Sequence, residues 1–387
     1  MKNSTALLLL SGTSLTAGGY GATFLFSAWF RSQGGTDIEA GTTLSMALLG
    51  TFIGVPLVGW FAGRMDASRL AALAAFILSV GYLLMGSLSE EFRFVPLLST
   101  LLIGLGWGMF YIGAPMALSE RVSDADRGHW FTRFSAFQMV GICGGPVLVT
   151  LLTGSLHTPL QQCFLLVGGA GLLAALLLAA FGRKEPGGPG DRALRPWVKK
   201  LAVLAFSPAA RPIVMVGLGG CVFSGMMSFQ GSLVEGTSAS ASTYFWVHAT
   251  TAVVARLLLS RRLSGLPRLP LVSALLCCLF VGILCLLWIP IHPAFQIASA
   301  MLTGLGYGLV YPVIQTWAVN DSLPENRHAA LTWFVMSYFV GIFGFPAFGG
   351  WILVAAGKVW FILALALLVL LELAAGAMRS GTRSENY

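Results

Sequence analysis

Charge is what this sequence has least of. Asp, Glu, Lys and Arg make up only 10% of its 387 residues, whereas 56% of the residues are hydrophobic. Ordinary soluble domains carry about 25% charged residues, and a chain of this length could not cover a water-facing surface with so few charges. The scarcity of charge excludes an ordinary soluble globular protein and predicts a polytopic membrane protein.

The sequence also lacks the usual motifs of catalysis and metal binding. We find no His-Glu-x-x-His run, no rhomboid-type serine setting with a partner histidine, and no ATP-binding P-loop. No two cysteines have the CxxC spacing of a metal site, and all six lie inside apolar runs: Cys143, Cys163, Cys221, Cys277, Cys278 and Cys285. We therefore expect no enzyme activity, no cofactor and no metal. An intramembrane enzyme or a sensor is the less favoured alternative.

The formal net charge of +8 does not indicate nucleic-acid binding. A nucleic-acid footprint clusters its cations on one soluble face, whereas here Lys and Arg fall in short gaps between apolar runs. Cytoplasmic loops of membrane proteins collect such residues. With the N-terminus in the cytoplasm, only Arg31, Arg93 and Lys358 of the 23 cations lie outside. The sequence therefore predicts a multi-pass protein of the inner membrane with both termini cytoplasmic.

Apolar runs of spanning length recur along the whole chain. A membrane-spanning helix needs about 20 residues to cross the hydrocarbon. The first run continues to about Phe30, which is too long for a cleaved signal peptide. We count twelve candidate spans, at 6–29, 41–62, 69–88, 94–117, 131–153, 161–181, 212–233, 243–260, 269–290, 295–319, 329–355 and 358–378.

Two stretches of the sequence repeat each other at an offset of 200 residues. The cluster Gly-x-Gly-x-Gly at 104–108 returns at 304–308, and the register holds without a gap to Pro146 and Pro346. Chance matches between common glycines would scatter. The repeat makes spans 4 and 5 equivalent to spans 10 and 11, which predicts two parallel six-helix halves.

The predicted domains are an N-terminal half at 1–181, a cytoplasmic linker at 182–211 and a C-terminal half at 212–387. The Pro/Gly run at 186–190 indicates a flexible joint. Within the linker, residues 196–206 suit a short helix in the membrane interface or a plain solvated segment.

Three local features of the sequence resemble the major facilitator superfamily, and the resemblance extends over essentially the whole chain. In "GWFAGRMDASRL", after span 2, Gly59, Arg64 and Arg69 match the family pattern, whereas Asp66 stands at the place of its second glycine. Span 5, "GICGGPVLV", is similar to an efflux-associated Gly-x-x-x-Gly-Pro pattern, and span 11 keeps part of it. The third feature is the repeated glycine cluster.

The resemblance implies an all-α fold in which spans 4 and 10 lie beside a central cavity. Residues 104 and 108 share one helical face, which predicts close packing against a neighbouring helix in each half. A second face carries aromatic residues, which predicts a cavity lining. The candidate lining residues are Tyr20, Trp107, Tyr111, Gln138, Gln230, Tyr307, Tyr311, Gln315 and Tyr338. Hydrogen bonds between helices are the alternative role for each polar member of this set.

Ionisable residues inside spans are expensive and are candidates for function. His248 and Arg256 lie eight residues apart in span 8, about 80° apart on the helix, and a histidine can titrate near physiological pH. A hydrogen-bonded structural histidine is the alternative. The coupling or gating candidates are His248, Arg256, Glu39, Glu235, Arg64, Asp66 and Arg69. Helix capping is the alternative for Asp66, as is capping of loops for Glu39 and Glu235.

These patterns predict a secondary active transporter that works by alternating access. The Gly-Pro pattern favours export of a drug, sugar, siderophore or opine-type metallophore, and a proton-coupled uptake permease for a small metabolite is the alternative. The expected partners are a small-molecule substrate and the lipid bilayer, with protons as a candidate coupling ion. We expect a monomer that binds no nucleic acid.

Overall fold

The computed structural model describes residues 3–61, 64–87, 94–186, 200–263 and 266–377, and every regular element in these ranges is a helix. Helices are the expected outcome in hydrocarbon, because each backbone N–H and C=O must find a partner within its own segment. Arg93 and the middle of the predicted linker, residues 187–199, lie outside the described residues.

The N-terminal half consists of seven helices, two of which share the first span. A 3-10 turn at Thr23–Leu25 divides that span. The helices are α1 (Asn3–Ala22), α2 (Phe26–Ser32), α3 (Asp37–Phe61), α4 (Ala67–Gly86), α5 (Val95–Ser119), α6 (Asp124–Ser155) and α7 (Leu160–Lys184).

The C-terminal half repeats this order after one short helix. That helix, α8 (Leu201–Ala205), lies within the predicted interfacial segment at 196–206. A π-helical turn at Val340–Gly344 joins two helices into span 11. The helices are α9 (Ala210–Ser228), α10 (Gln230–Val234), α11 (Ala241–Leu263), α12 (Arg268–Cys285), α13 (Ala294–Asn320), α14 (Arg327–Phe339), α15 (Phe345–Ala356) and α16 (Lys358–Ala377).

Ten helices within the described residues are long and apolar enough to cross a membrane, and they coincide with ten of the predicted spans. The chain is therefore a multi-pass membrane protein. The two other predicted spans, 6–29 and 243–260, are helical but less apolar. Glycine and hydroxyl residues dilute the first of them, and α11 contains His248 and Arg256.

The glycine cluster places α5 between two neighbours of its own half. A Cβ on Gly104 would collide with the carbonyl oxygen of Ala47 in α3, and one on Gly106 would lie 2.6 Å from the carbonyl oxygen of Ala74 in α4. Only glycine permits such approach of two backbones.

The repeated cluster gives α13 equivalent contacts. A Cβ on Gly304 would lie 2.7 Å from the carbonyl oxygen of His248 in α11, and one on Gly306 would lie 2.7 Å from that of Leu275 in α12. α11 and α12 thus take the places that α3 and α4 take in the first half. The repeated glycines therefore make repeated helix contacts.

The two halves meet along α3 against α15 and α6 against α11. We call the end of the bundle with Lys184 and Lys200, both in the predicted linker, the linker end. The opposite end, with Gln33 and Leu156, is the far end. At the far end the contact is close, since a Cβ on Gly41 would collide with the carbonyl oxygen of Pro346. The halves are therefore packed together there.

Replacing Gly306 by Ala should destabilise the protein, because the added methyl group would force α12 and α13 apart. Overpacking of this kind costs about 1–3 kcal/mol in the free energy of unfolding. The control is Gly169→Ala in α7, where a Cβ meets no atom within 4 Å. Thermal unfolding of both purified variants measures the difference, and equal unfolding temperatures would contradict a tight contact.

Candidate functional site

A cavity of about 440 Å³ lies between the two halves and extends toward the linker end. Helices α5 and α6 line it from one half, and α9, α11, α13 and α14 line it from the other. Two lining residues, Ser135 and Pro312, are exposed, so the cavity is open at the linker end. Its size suits a drug-sized organic molecule.

Seven of the nine candidate lining residues lie in the wall of this cavity. The N-terminal half contributes Trp107, Tyr111 and Gln138. The C-terminal half contributes Tyr307, Tyr311, Gln315 and Tyr338. Their role in binding a substrate stays a prediction.

Two of the candidate lining residues lie elsewhere. Tyr20 is fully buried behind the wall, where its ring stacks on Trp107 at 4.3 Å between centroids. Gln230 begins α10 toward the far end and is also fully buried. The expectation that these side chains face the cavity is therefore wrong, because Tyr20 packs behind Trp107 and Gln230 lies beyond the break in span 7.

Stacked aromatic rings form two walls of the cavity. Trp107 is held by Tyr20 on one side, and Tyr307 stacks on Phe223 with ring centroids 4.4 Å apart. The hydroxyl groups of Tyr111 and Tyr311 lie 2.8 Å apart and form a hydrogen bond between the halves. Equivalent residues of the repeat thus meet at the interface.

Phe223 lines the cavity but is not among the lining residues predicted from the sequence. The stack of Phe223 on Tyr307 mirrors that of Tyr20 on Trp107, but Phe223 lies 203 residues after Tyr20 (223 minus 20). The offset of 200 therefore fails by three residues between spans 1 and 7. Aligning the two spans on their aromatic residues would have been the available clue.

His248 and Arg256 both line the cavity from α11. The Nδ1 atom of His248 lies 3.1 Å from the hydroxyl of Thr303, and its ring is stacked 5.7 Å from that of Tyr244. Arg256 donates from Nε to the carbonyl oxygen of Gly308 at 2.7 Å. Both residues are thus held in place by α13 or by their own helix.

The far end is closed by polar contacts between the halves. The carboxylate of Asp37, at the start of α3, accepts hydrogen bonds from Ser27 of its own half and from Ser232 of the other, the latter at 2.7 Å. Arg31 pairs with Glu235 at 3.1 Å. Between these contacts and the cavity, the rings of Phe24 and Phe223 pack edge to face.

The other gating candidates have varied surroundings. Glu39 is exposed and accepts a hydrogen bond from the backbone N–H of Thr36, so it caps a turn. Glu235 joins the far-end contacts described above. Arg64 lies over the Trp60 ring at 4.2 Å, and Arg69 is exposed on α4.

Asp66 has two roles at the linker end. It caps α4 by accepting from the N–H of Ser68, and it pairs with Arg121 at 2.8 Å. Arg121 is almost fully buried and also donates to the carbonyl oxygens of Ala117 and Glu185. Burial raises the pKa of the neighbouring Glu120 carboxyl, an effect that Arg121 opposes. Helix capping is one of the two roles that the sequence predicts for Asp66. The sequence does not predict Arg121, 55 residues away, as its partner.

The second half carries an ion pair at the equivalent place with the charges exchanged. Arg268 begins α12 and bonds to Asp321, at the end of α13, at 3.0 Å. This pair is more exposed, since 46% of the Arg268 side-chain surface is accessible, against 3% for Arg121. Equivalent loops are thus held by pairs of opposite polarity and different burial.

Comparisons with known proteins agree with this geometry. A sequence model of the Major Facilitator Superfamily matches residues 8–343. A search of curated proteins returns no match. Similar solved structures include those of the nucleoside transporter NupG (TM-score 0.78, 14% identity, covering 96% of this chain and 98% of that one) and of a bacterial homologue of the lysosomal transporter Spinster, inward-facing and unoccupied (0.72, 15%, 97% of each chain). Another is an auto-inhibited peptide transporter of the POT family (0.72, 14%, 99% of each chain). These likenesses concern the fold alone.

The two ion pairs at the linker end should differ in what their loss costs. Asp66→Asn keeps the helix cap but removes one of the two carboxylates beside buried Arg121, which keeps Glu120 at 3.3 Å. The loss should be about 1.5–3 kcal/mol, the worth of a hydrogen bond to a charged group. Asp321→Asn, at the exposed pair, should cost about 1 kcal/mol or less. Chemical or thermal unfolding of the two variants measures both losses. A larger loss for Asp321→Asn would show that burial does not set the strength of these contacts.

Proposed function

The chain belongs to the Major Facilitator Superfamily, and we propose that it is a secondary active transporter that moves a small organic solute by alternating access. The observation that supports this most is the placement of the cavity. It lies between the halves, is open at the linker end, and is closed at the far end by Asp37, Ser27 and Ser232. If these contacts broke and the linker end closed, the same cavity would be open at the far end.

We assign the linker end to the cytoplasm, on the distribution of Lys and Arg along the chain. The conformation is then inward-facing, in an inner-membrane protein with both termini cytoplasmic. We favour export as the direction, because span 5 carries the Gly-x-x-x-Gly-Pro pattern at Gly141, Gly145 and Pro146. Uptake of a small metabolite is the second candidate. Transport by one chain needs no second copy, since the cavity is formed within it.

A disulfide across the far end tests the mechanism. The hydroxyl oxygens of Ser27 and Ser232 lie 3.3 Å apart, so Ser27→Cys/Ser232→Cys, in a protein whose six native cysteines are replaced, should form a bridge between the halves. The bridge should abolish transport, because the far end can no longer open, and a reductant should restore it. The single variant Ser27→Cys, treated with the same oxidant, is the control.

Flux is measured in everted and right-side-out membrane vesicles supplied with a metabolite mixture, with mass spectrometry of the vesicle contents. Solutes that enter only everted vesicles containing the protein would support export, and entry into right-side-out vesicles would support uptake. Equal flux in the oxidised and reduced double variant would contradict alternating access at this interface. Vesicles in which the protein moves no solute would contradict transport itself.

His248 is the titratable residue of the cavity that we propose for proton coupling. An imidazole changes charge in the pH range of a proton gradient, and two conformations that accept imidazolium unequally would supply the difference in affinity that coupling requires. His248→Gln should keep substrate binding and lose accumulation driven by a pH gradient. Binding and gradient-driven flux are measured on the same purified protein.

The Thr303→Val variant serves as the matched control, since it removes the hydroxyl that contacts His248 Nδ1 but leaves the imidazole. It should still respond to the pH gradient. If His248→Gln follows the gradient as the wild type does, the histidine is structural. Glu372, a fully buried carboxyl in α16 whose Oε2 has no hydrogen-bond partner among the described residues, is then the next candidate.

A further inference from the structure

Arg256 is the one side chain in the cavity wall with a permanent charge. No Asp or Glu lies among the lining residues, all of which the structure describes. The side chains that interact electrostatically with Arg256 are neutral, namely Tyr111, Tyr307, Tyr311 and Cys143. A cation removed from water without an anionic partner is costly. The wall therefore presents an uncompensated positive charge to whatever enters.

Pro312 explains how the guanidinium is oriented. The carbonyl of Gly308 would normally accept a hydrogen bond from the N–H four residues later in the helix, but that residue is Pro312, which has none. Arg256 Nε supplies the missing donor at 2.7 Å. The two terminal nitrogens have no hydrogen-bond partner among the described residues. The Nε edge of the guanidinium is thus bound to α13. The two terminal nitrogens can donate hydrogen bonds to another acceptor.

From this arrangement we propose that the cavity binds a monovalent organic anion, a carboxylate on an aromatic or apolar body, with the terminal nitrogens of Arg256 as its anion-binding group. This assignment rests on the transport function proposed above and names the class of its substrate. Guanidinium binds carboxylate through two parallel hydrogen bonds, of which a glutamine amide in its place could supply one. Trp107, Phe223 and Tyr307 lie in the wall of the same cavity and supply part of its apolar surface.

The charges of the wall exclude other classes of solute. A cationic solute would face Arg256 without a carboxylate to pair with, and the ammonium group of a zwitterion would meet the same difficulty. A phosphate ester carries close to two negative charges at neutral pH, which one guanidinium does not balance. A single carboxylate matches the single cation.

Matched probes in three charge states test the assignment on the wild-type protein. The acids are 2-naphthoate and indole-3-acetate, the neutral analogues are their primary amides, and the cations are 2-naphthylmethylamine and tryptamine. Ligand that binds the folded protein raises its unfolding temperature. The acids should raise it, and the amides and amines at the same concentration should not. Equal stabilisation by the amides or the amines would overturn the proposal. Failure of both acids to raise the unfolding temperature would also overturn it.

Substitution of Arg256 tests the binding group itself. Arg256→Gln should raise the Kd of the better acid about 10- to 150-fold, the worth of one hydrogen bond to a charged group. Arg183→Gln is the control, because it removes one exposed cation at the linker end of α7, outside the cavity. Affinity unchanged in Arg256→Gln, or lost equally in both variants, would overturn the assignment.

Arg256 could instead serve only to satisfy the Gly308 carbonyl, and Pro312→Ala separates the two roles. Alanine restores the helical N–H, so the double variant Arg256→Gln/Pro312→Ala should recover the unfolding temperature lost in Arg256→Gln. Acid binding should stay weak in the double variant if Arg256 holds the carboxylate. Recovery of binding together with stability would show that the arginine is structural only.

Vesicle flux distinguishes failure of this assignment from failure of the transport function. Saturable flux of neutral or cationic solutes alone would overturn the anion assignment and leave transport standing. Charge-selective binding of the acids, lost in Arg256→Gln but without flux of any solute, would contradict transport and leave the binding site standing.

Discussion

The arrangement of both halves depends on how closely α5 and α13 approach their neighbours. In hydrocarbon there is no hydrophobic force between helices, so contact surfaces hold by dispersion and close fit. Gly104 and Gly304 allow the backbones of α5 and α13 to touch those of α3 and α11. Because one face of each helix packs in this contact, the aromatic face with Trp107 or Tyr307 lies toward the other half.

The cavity follows from that constraint. Because the same cluster occurs in both halves, the same aromatic positions meet at the interface, and Tyr111 bonds to Tyr311. Differences between the halves then provide the chemistry. The cavity residues His248 and Arg256 both lie in α11 of the C-terminal half. Pro312 leaves the carbonyl of Gly308 without its helical N–H donor, and this carbonyl positions the arginine. A symmetric scaffold thus holds a binding surface with aromatic side chains from both halves and with His248 and Arg256 from one half only.

The two ends of the bundle are fastened in different ways. At the far end, Asp37 and Glu235 join residues of opposite halves. At the linker end, the pairs Asp66–Arg121 and Arg268–Asp321 each lie within one half. Contacts within a half hold its helices as one body, whereas contacts between halves can break without disturbing either. This division suits rigid halves that rock about a central site.

The sequence by itself determined the membrane class, the family, ten of the spans and the repeated glycine and aromatic faces. The class, the spans and the repeated faces follow from composition and helical periodicity, which act within one segment and need no knowledge of its neighbours. The family was indicated by the resemblance of local motifs. Only the tertiary structure decided which face meets which helix. For that reason Tyr20 and Gln230 lie outside the wall of the cavity and Phe223 lies in it. The contacts Asp66–Arg121, Asp37–Ser232 and Arg256–Gly308 join residues 52 to 195 positions apart. Packing between helices determines such contacts, and periodicity within one segment does not predict them.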